Sequence, residues 1–214
     1  MYDVIVLGAT FVAAGIAERY KEKCLVLERR LQAGYEFFGT LYGGGEVTVY
    51  RNFEKCHTIF DVGIVSIKRE DGAFLCVTHG VDGFCTYKAK RIIDTRCNAD
   101  MCVSKTYNLL IESEEEPDFS NLYCEKVEGH NRYILHCEVP LYCGYVEART
   151  IVKKILEGFS ETQRLILSAN EFDYRVKADY PKKENGILYL PSRLYADSVL
   201  AFEAGLDIDG EVLK

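Results

Sequence analysis

The residues with the most chemical promise are a glycine, an acid and the segments that join them. Gly8 follows the apolar run Tyr2-Asp3-Val4-Ile5-Val6-Leu7, and Glu28 closes a second run, Cys24-Leu25-Val26-Leu27. Between them, Phe11 to Tyr20 reads as a helix with small residues at Ala13, Ala14, Gly15 and Ala17. A glycine after a strand permits a sharp turn. The helix start beyond it presents unpaired N–H groups and a positive dipole end to an anion. A carboxylate about twenty residues further on reaches a ribose hydroxyl pair. Strand, turn, helix, strand and terminal acid is the layout that holds the ADP half of FAD or NAD.

The glycine motif is incomplete. Where G-x-G-x-x-G is expected, the chain reads Gly8-Ala9-Thr10-Phe11-Val12-Ala13. Alanine in the last place still allows close helix–strand packing, whereas Thr10 projects a side chain where backbone would approach phosphate. A plain α/β unit that binds nothing shows the same periodicity, so the pattern alone leaves that alternative open.

The elements that must position these residues follow in order. Residues 31–50 form a loop rich in glycine and aromatics, including Gly34, Gly39 and Gly43-Gly44-Gly45. Gly63 to Arg69, Ala73 to Thr78 and Phe84 to Ile93 read as a three-stranded meander, with turns at Glu70-Asp71-Gly72 and Asp82-Gly83. Its last strand ends apolar enough to enter a buried sheet. Lys105 to Glu112, Asn121 to Val127 and Arg132 to Val139 are predicted strands, and Tyr145 to Leu156 is a predicted helix. Phe172 to Ala178 and Ile187 to Leu190 are further strand candidates. A last helix runs from an N-cap at Asp197 to Ala204, with Gly205 expected as its C-cap. The order predicts a Rossmann-like α/β domain of residues 1–103 plus 184–214, interrupted by a small, mostly antiparallel domain of residues 104–183.

Composition narrows the function classes. The chain has 214 residues, 48% hydrophobic and 28% charged, with a net charge of −7. An acidic chain of pI near 5.2 argues against nucleic acid or an anionic membrane as partner. No secretory segment precedes the first strand and no apolar stretch is long enough to span a bilayer, so a cytoplasmic protein is expected. Nine cysteines lie at spacings that do not form a metal site, and no C-x-x-C is present. They are expected to be reduced thiols, many of them acting as small hydrophobes in strands. The four histidines are scattered. His57 alone follows the glycine-rich loop, where it is expected either to approach a cofactor or to serve the structure; His130 reads as a turn residue and His136 as a strand residue. No catalytic constellation can be read.

Three blocks carry a resemblance. They are Tyr2 to Arg30; Tyr87 to Asp100, with Ile93-Asp94-Thr95-Arg96-Cys97-Asn98-Ala99-Asp100; and Gly186 to Gly205, with Leu190-Pro191-Ser192 and Ser198-Val199-Leu200-Ala201-Phe202-Glu203-Ala204-Gly205. In this order they resemble the FAD-dependent oxidoreductases of the two-dinucleotide-binding-domain type, whose second block reads Ile-Asp-Ala-Thr-Gly-Asp-Ala-Asp. The resemblance implies a Rossmann-like, FAD-binding ββα-type domain with a meander, and FAD as cofactor. It implies that Gly8, Thr10, Phe11 and Val12 surround the pyrophosphate, that Glu28 takes the adenosine ribose and that Arg29 lies beside the adenine. Thr95 and Arg96 would lie under the phosphates, and Ser198 and Val199 would offer N–H groups to the flavin carbonyl. Hydride transfer between a small organic substrate and flavin is the activity implied. A protein redox partner or a homo-oligomer fits a chain with little room for a separate NAD domain. The departures at Thr10, Arg96 and Cys97 favour the competing expectation, a non-catalytic Rossmann-type subunit. An NAD-dependent enzyme is a third.

Overall fold

The computed structural model describes residues 1–41, 50–117, 119, 122–127 and 129–208. Gly43, Gly44, Gly45 and Asn121, which figure in the sequence-based expectations, lie outside them. The chain divides into two compact units. The first takes the described residues among 1–35, 44–97 and 178–214, the second those among 36–43 and 98–177.

The first unit is built on a sheet whose central strands are buried on both faces. Its strands are β1 (Val4–Leu7), β2 (Cys24–Leu27), β3 (His57–Ile59), β7 (Ile92–Asp94), β13 (Lys182–Glu184) and β14 (Ile187–Tyr189), in the order β13-β14-β7-β1-β2-β3. All neighbours are parallel except the β13–β14 hairpin, whose turn is Asn185-Gly186. Continuous Val, Ile and Leu in β1 and β2 match burial from both sides. One face is covered by a meander of β4 (Gly63–Glu70), β5 (Ala73–Gly80) and β6 (Gly83–Ala89), through a core that includes Ile5, Leu25, Phe74, Cys76 and Ile92. The expected third meander strand is interrupted at Lys90-Arg91, and its apolar end becomes β7 of the parallel sheet.

The helices α1 (Phe11–Tyr20) and α5 (Ser198–Leu206) pack on each other. Their approach rests on two glycines. A Cβ built on Gly15 would fall 2.1 Å from the Phe202 carbonyl oxygen, and one on Gly205 would fall 2.0 Å from that of Val12. Gly205 is therefore not the C-cap expected from its place after the apolar run. It lies within α5, Asp207 follows as the cap, and its lack of a side chain serves helix contact. Two short helices, α2 (Tyr35–Phe38) and α3 (Tyr50–Phe53), punctuate the segment read as loop.

The second unit is an antiparallel sheet centred on β8 (Cys102–Ser113). It pairs with β10 (Arg132–Val139), β11 (Gln163–Ser168) and β12 (Asp173–Val176), and β10 pairs with β9 (Tyr123–Val127). The helix α4 (Tyr145–Leu156) buries Ala148 and Val152 against Tyr107, Leu109, Ile111, Leu135 and Cys137. Strand β11 escapes a search for alternation because its apolar residues are largely exposed. Lys105 points to the core in phase with Tyr107 and Leu109. Its ammonium donates to the carbonyls of Leu141 and Cys143 and lies 3.6 Å from the Phe172 ring centroid. Burial lowers its pKa, and the nearby Cys143 and Glu147 only partly oppose this.

Candidate dinucleotide site

Three strand ends converge through backbone bonds. The Gly8 N–H donates to Leu27 O, the Thr95 N–H to Leu7 O and the Glu28 N–H to Ile59 O, each at 2.9–3.0 Å. Gly8, Glu28 and Thr95 therefore sit side by side at the carboxyl ends of β1, β2 and β7. That edge is where open α/β sheets bind ligands.

Gly8 adopts φ +95°, a left-handed conformation that favours glycine. A Cβ there would meet Arg96 Cγ at 2.6 Å and Thr95 Oγ1 at 3.2 Å. The turn is thus lined by a hydroxyl and an arginine stem. Thr10, extended at the start of α1, accepts from the Ala13 N–H and is its N-cap. Its hydroxyl donates to Thr95 Oγ1 at 2.8 Å, and Thr95 in turn donates towards the Leu7 and Gly8 carbonyls. The threonine that breaks the glycine motif has become a structural clasp between β1 and β7. Phe11 and Val12, which follow it, are buried.

Glu28 is 4% exposed, so its carboxylate needs partners. Oε2 accepts from the Ala9 N–H at 2.7 Å and Oε1 from the Arg30 N–H at 2.8 Å. The acid is fixed against the turn after Gly8. A carboxylate offers about four lone-pair directions, so these two bonds leave acceptor capacity on both oxygens. Arg29 is exposed beside it, and the Arg30 guanidinium lies over the Tyr35 ring.

Arg96 completes the group. Its Nε donates to Asp94 Oδ1 at 2.9 Å and its Nη2 to Oδ2 at 2.7 Å, while its backbone N–H reaches Oδ1. Burial would lower the guanidinium pKa, but Asp94 first and Glu28 next more than reverse this, and it ends raised. The fork is held by one edge and keeps Nη1 for another acceptor. Asp94 is the member of this group that motif spacing missed. Its two-residue separation from Arg96 across a strand exit has no pattern of its own.

Other sequence-based candidates fall elsewhere. Ser198 is buried and Val199 exposed at the first turn of α5, which is capped by Asp197 Oδ1 accepting from the Leu200 N–H. The close contact of α5 with α1 is made further along, at Phe202 and Gly205 against Gly15 and Val12. His57 opens β3 at the opposite end of the sheet from Gly8, with its Nδ1 2.7 Å from the Tyr2 hydroxyl, a position that suits the structural one of its two expected roles. His130 lies in a turn and His136 in β10. Among the described residues no group of three His, Cys, Asp or Glu could hold a metal, and no helix is long and apolar enough to cross a membrane.

The donor and acceptor types present are those an adenosine diphosphate moiety would use, with the Arg96 stem and the Thr95 hydroxyl lying against Gly8 and the Ala9 and Ala13 N–H groups bonded within the chain. A fixed carboxylate with spare lone pairs suits a ribose, and a positive-φ glycine beside an arginine with a free donor suits a diphosphate.

No family model and no curated protein matches the chain. Solved structures share its fold. p-Nitrophenol 4-monooxygenase PnpA from Pseudomonas putida DLL-E4 aligns with a TM-score of 0.59 at 10% identity, over 100% of this chain and 82% of that one. Aklavinone-11 hydroxylase, solved with FAD and aklavinone, gives 0.60 at 11% identity, over 97% and 61%. A flavoprotein/dehydrogenase from Cytophaga hutchinsonii gives 0.56 at 12% identity, over 99% and 78%. The chain shares the Rossmann-type α/β fold of these structures. It spans 60% of the length of another such structure, BexE.

Proposed function

We propose that this protein is an FAD-binding oxidoreductase acting on a small organic substrate. The observation that carries the reading is the pair of fixed charges at the carboxyl edge of the sheet: Glu28 held by the Ala9 N–H, and Arg96 held by Asp94. Bound FAD would supply the hydride-transfer chemistry. The chain's own groups bind and orient. Glu28 takes the ribose hydroxyls, and Arg29 lies beside the adenine. Gly8, Thr10, Phe11 and Val12 form the wall at the diphosphate, with Thr95 behind them, and Arg96 neutralises its charge through Nη1. Ser198 and Val199 open the helix whose dipole faces the flavin carbonyl, and residues 104–183 form the substrate domain.

A second reading has its own support. Thr10 occupies the Ala13 N–H and ties itself to Thr95, so part of the helix start already has an intramolecular partner. A non-catalytic Rossmann-type subunit would look like this. Titration of the purified protein with FAD separates the two. The first reading expects saturable quenching of flavin fluorescence. At a hundredfold excess over Kd it also expects a stabilisation of about 2.7 kcal/mol. Arg96→Ala should weaken the binding about tenfold, as expected for one lost charge-assisted hydrogen bond. An unchanged melting temperature with FAD, NAD and ADP alike would leave the non-catalytic reading standing.

A further inference from the structure

The amino ends of the same strands carry a second reactive group. Cys24 opens β2, and the register Leu25↔His57 extended by one residue sets Cys24 opposite Cys56. Adjacent strands lie about 4.8 Å apart, within the Cα separation of about 4.4–6.8 Å that a disulfide spans. Register partners point to the same face, which sets the two thiols side by side; Cys56 Sγ also donates to the Phe53 carbonyl at 3.6 Å. Both cysteines are free, and the Thr58 hydroxyl lies 3.3 Å from Cys56 Sγ.

The interaction between the two thiols makes the sulfurs unequal. It lowers the Cys56 pKa, against burial and with help from Thr58, and with burial it pushes Cys24 up. Cys24 is fully buried, whereas Cys56 reaches 9% exposure beside the exposed Glu54 and Lys55. Lys23 and Lys55, which precede the two cysteines, line an open surface cavity of about 710 Å³ together with Tyr20 and Glu18. The cavity wall therefore includes the residue before each cysteine, of which Cys56 is the less buried.

We propose that Cys24 and Cys56 form a reversible dithiol–disulfide site whose oxidant is a hydroperoxide. This inference is independent of the dinucleotide reading. The Cys56 thiolate attacks the terminal oxygen of the peroxide. The O–O bond breaks, an S–O bond forms, and for hydrogen peroxide one water leaves. Cys24 sulfur then displaces hydroxide from the Cys56 sulfenic acid, its own proton completing the second water. Two thiols are oxidised, one peroxide is reduced, and a dithiol reductant reverses the change.

The test uses the full chain, reduced and then exposed to equimolar hydrogen peroxide, capped with N-ethylmaleimide and digested with trypsin. Because Lys23 and Lys55 precede the cysteines, cleavage separates residues 24–29 from residues 56–68, each with one thiol. The expected product is these two peptides joined, about 2 Da lighter than their sum, and released by dithiothreitol. In Cys24→Ser, Cys56 should instead accumulate as a sulfenic acid trapped by dimedone, an adduct lost in the untreated control. Maleimide on both cysteines after peroxide has oxidised other thiols would overturn the proposal. So would a dimedone adduct on Cys56 in the unsubstituted protein, or Cys56 joined to a different cysteine. The wild-type digest decides the matter even if the variant does not fold.

Discussion

The two ends of the parallel sheet solve different problems with the same strands. At the carboxyl ends, Gly8, Glu28, Asp94, Thr95 and Arg96 form a polar group whose members hold one another by backbone and side-chain bonds. At the amino ends, Cys24, Cys56 and Thr58 form a small, nearly apolar group beside the Tyr2–His57 pair. Parallel strands explain the asymmetry. Every connection arriving at the carboxyl edge delivers a turn with polar backbone, and helices beginning there aim their dipoles outward. The amino edge receives chain ends arriving from helices, and small side chains suffice. One edge gathers fixed charges, the other sets two sulfurs on neighbouring chain segments.

That contrast can be broken most severely through the helices that back the carboxyl edge. Gly205→Ala must force α5 away from the Val12 carbonyl, and a loss of about 3 kcal/mol is expected in denaturant unfolding. FAD binding should fall with it, while peroxide-driven oxidation of Cys56 in the folded fraction should persist. Loss of both together would mean the two edges are not separable. Glu28→Ala removes the acceptor for two backbone N–H groups and should cost about 2 kcal/mol. Calorimetric titration with ADP should show affinity lowered as well, and Glu28→Gln should recover part of the stability.

Thr10→Gly sharpens the comparison from the other side. It removes the cap and the clasp to Thr95, at a cost of roughly 1 kcal/mol, yet opens the turn to backbone approach. Tighter FAD binding in a less stable protein is the expected result; weaker binding would make the threonine a ligand group. The smallest effect concerns pH. Because the folded state lowers the Cys56 pKa, its thiolate persists to lower pH than that of an ordinary thiol. Iodoacetamide labelling of Cys56 should therefore lose rate at a lower pH than labelling of a cysteine in the unfolded chain. Coincident profiles would remove the asymmetry between the two sulfurs.

Much of the first unit was legible from its residues. β1, α1 and β2 announce themselves by periodicity, and Gly8 and Glu28 by spacing, because one turn and one acid define that crossover. The meander was legible for a related reason, its turns being Asp-Gly pairs. What escaped depends on contacts distant in sequence. Nothing in Ile93-Asp94-Thr95-Arg96 says that the acid grips the arginine rather than a ligand. Gly205 looks like a helix stop until Val12 is seen against it. Three-residue strands such as β3 and β13 are too short for any period. Lys105 sits in phase with a row of core residues, a signal present in the alternation but ordinarily read as a solvent-facing break.

The crossing of α1 and α5 brings together residues from opposite ends of the sequence. The glycine face of α1 is therefore covered only once α5, far along the chain, has packed against it. Contacts so far apart in sequence close a long loop, the kind of contact that slows folding.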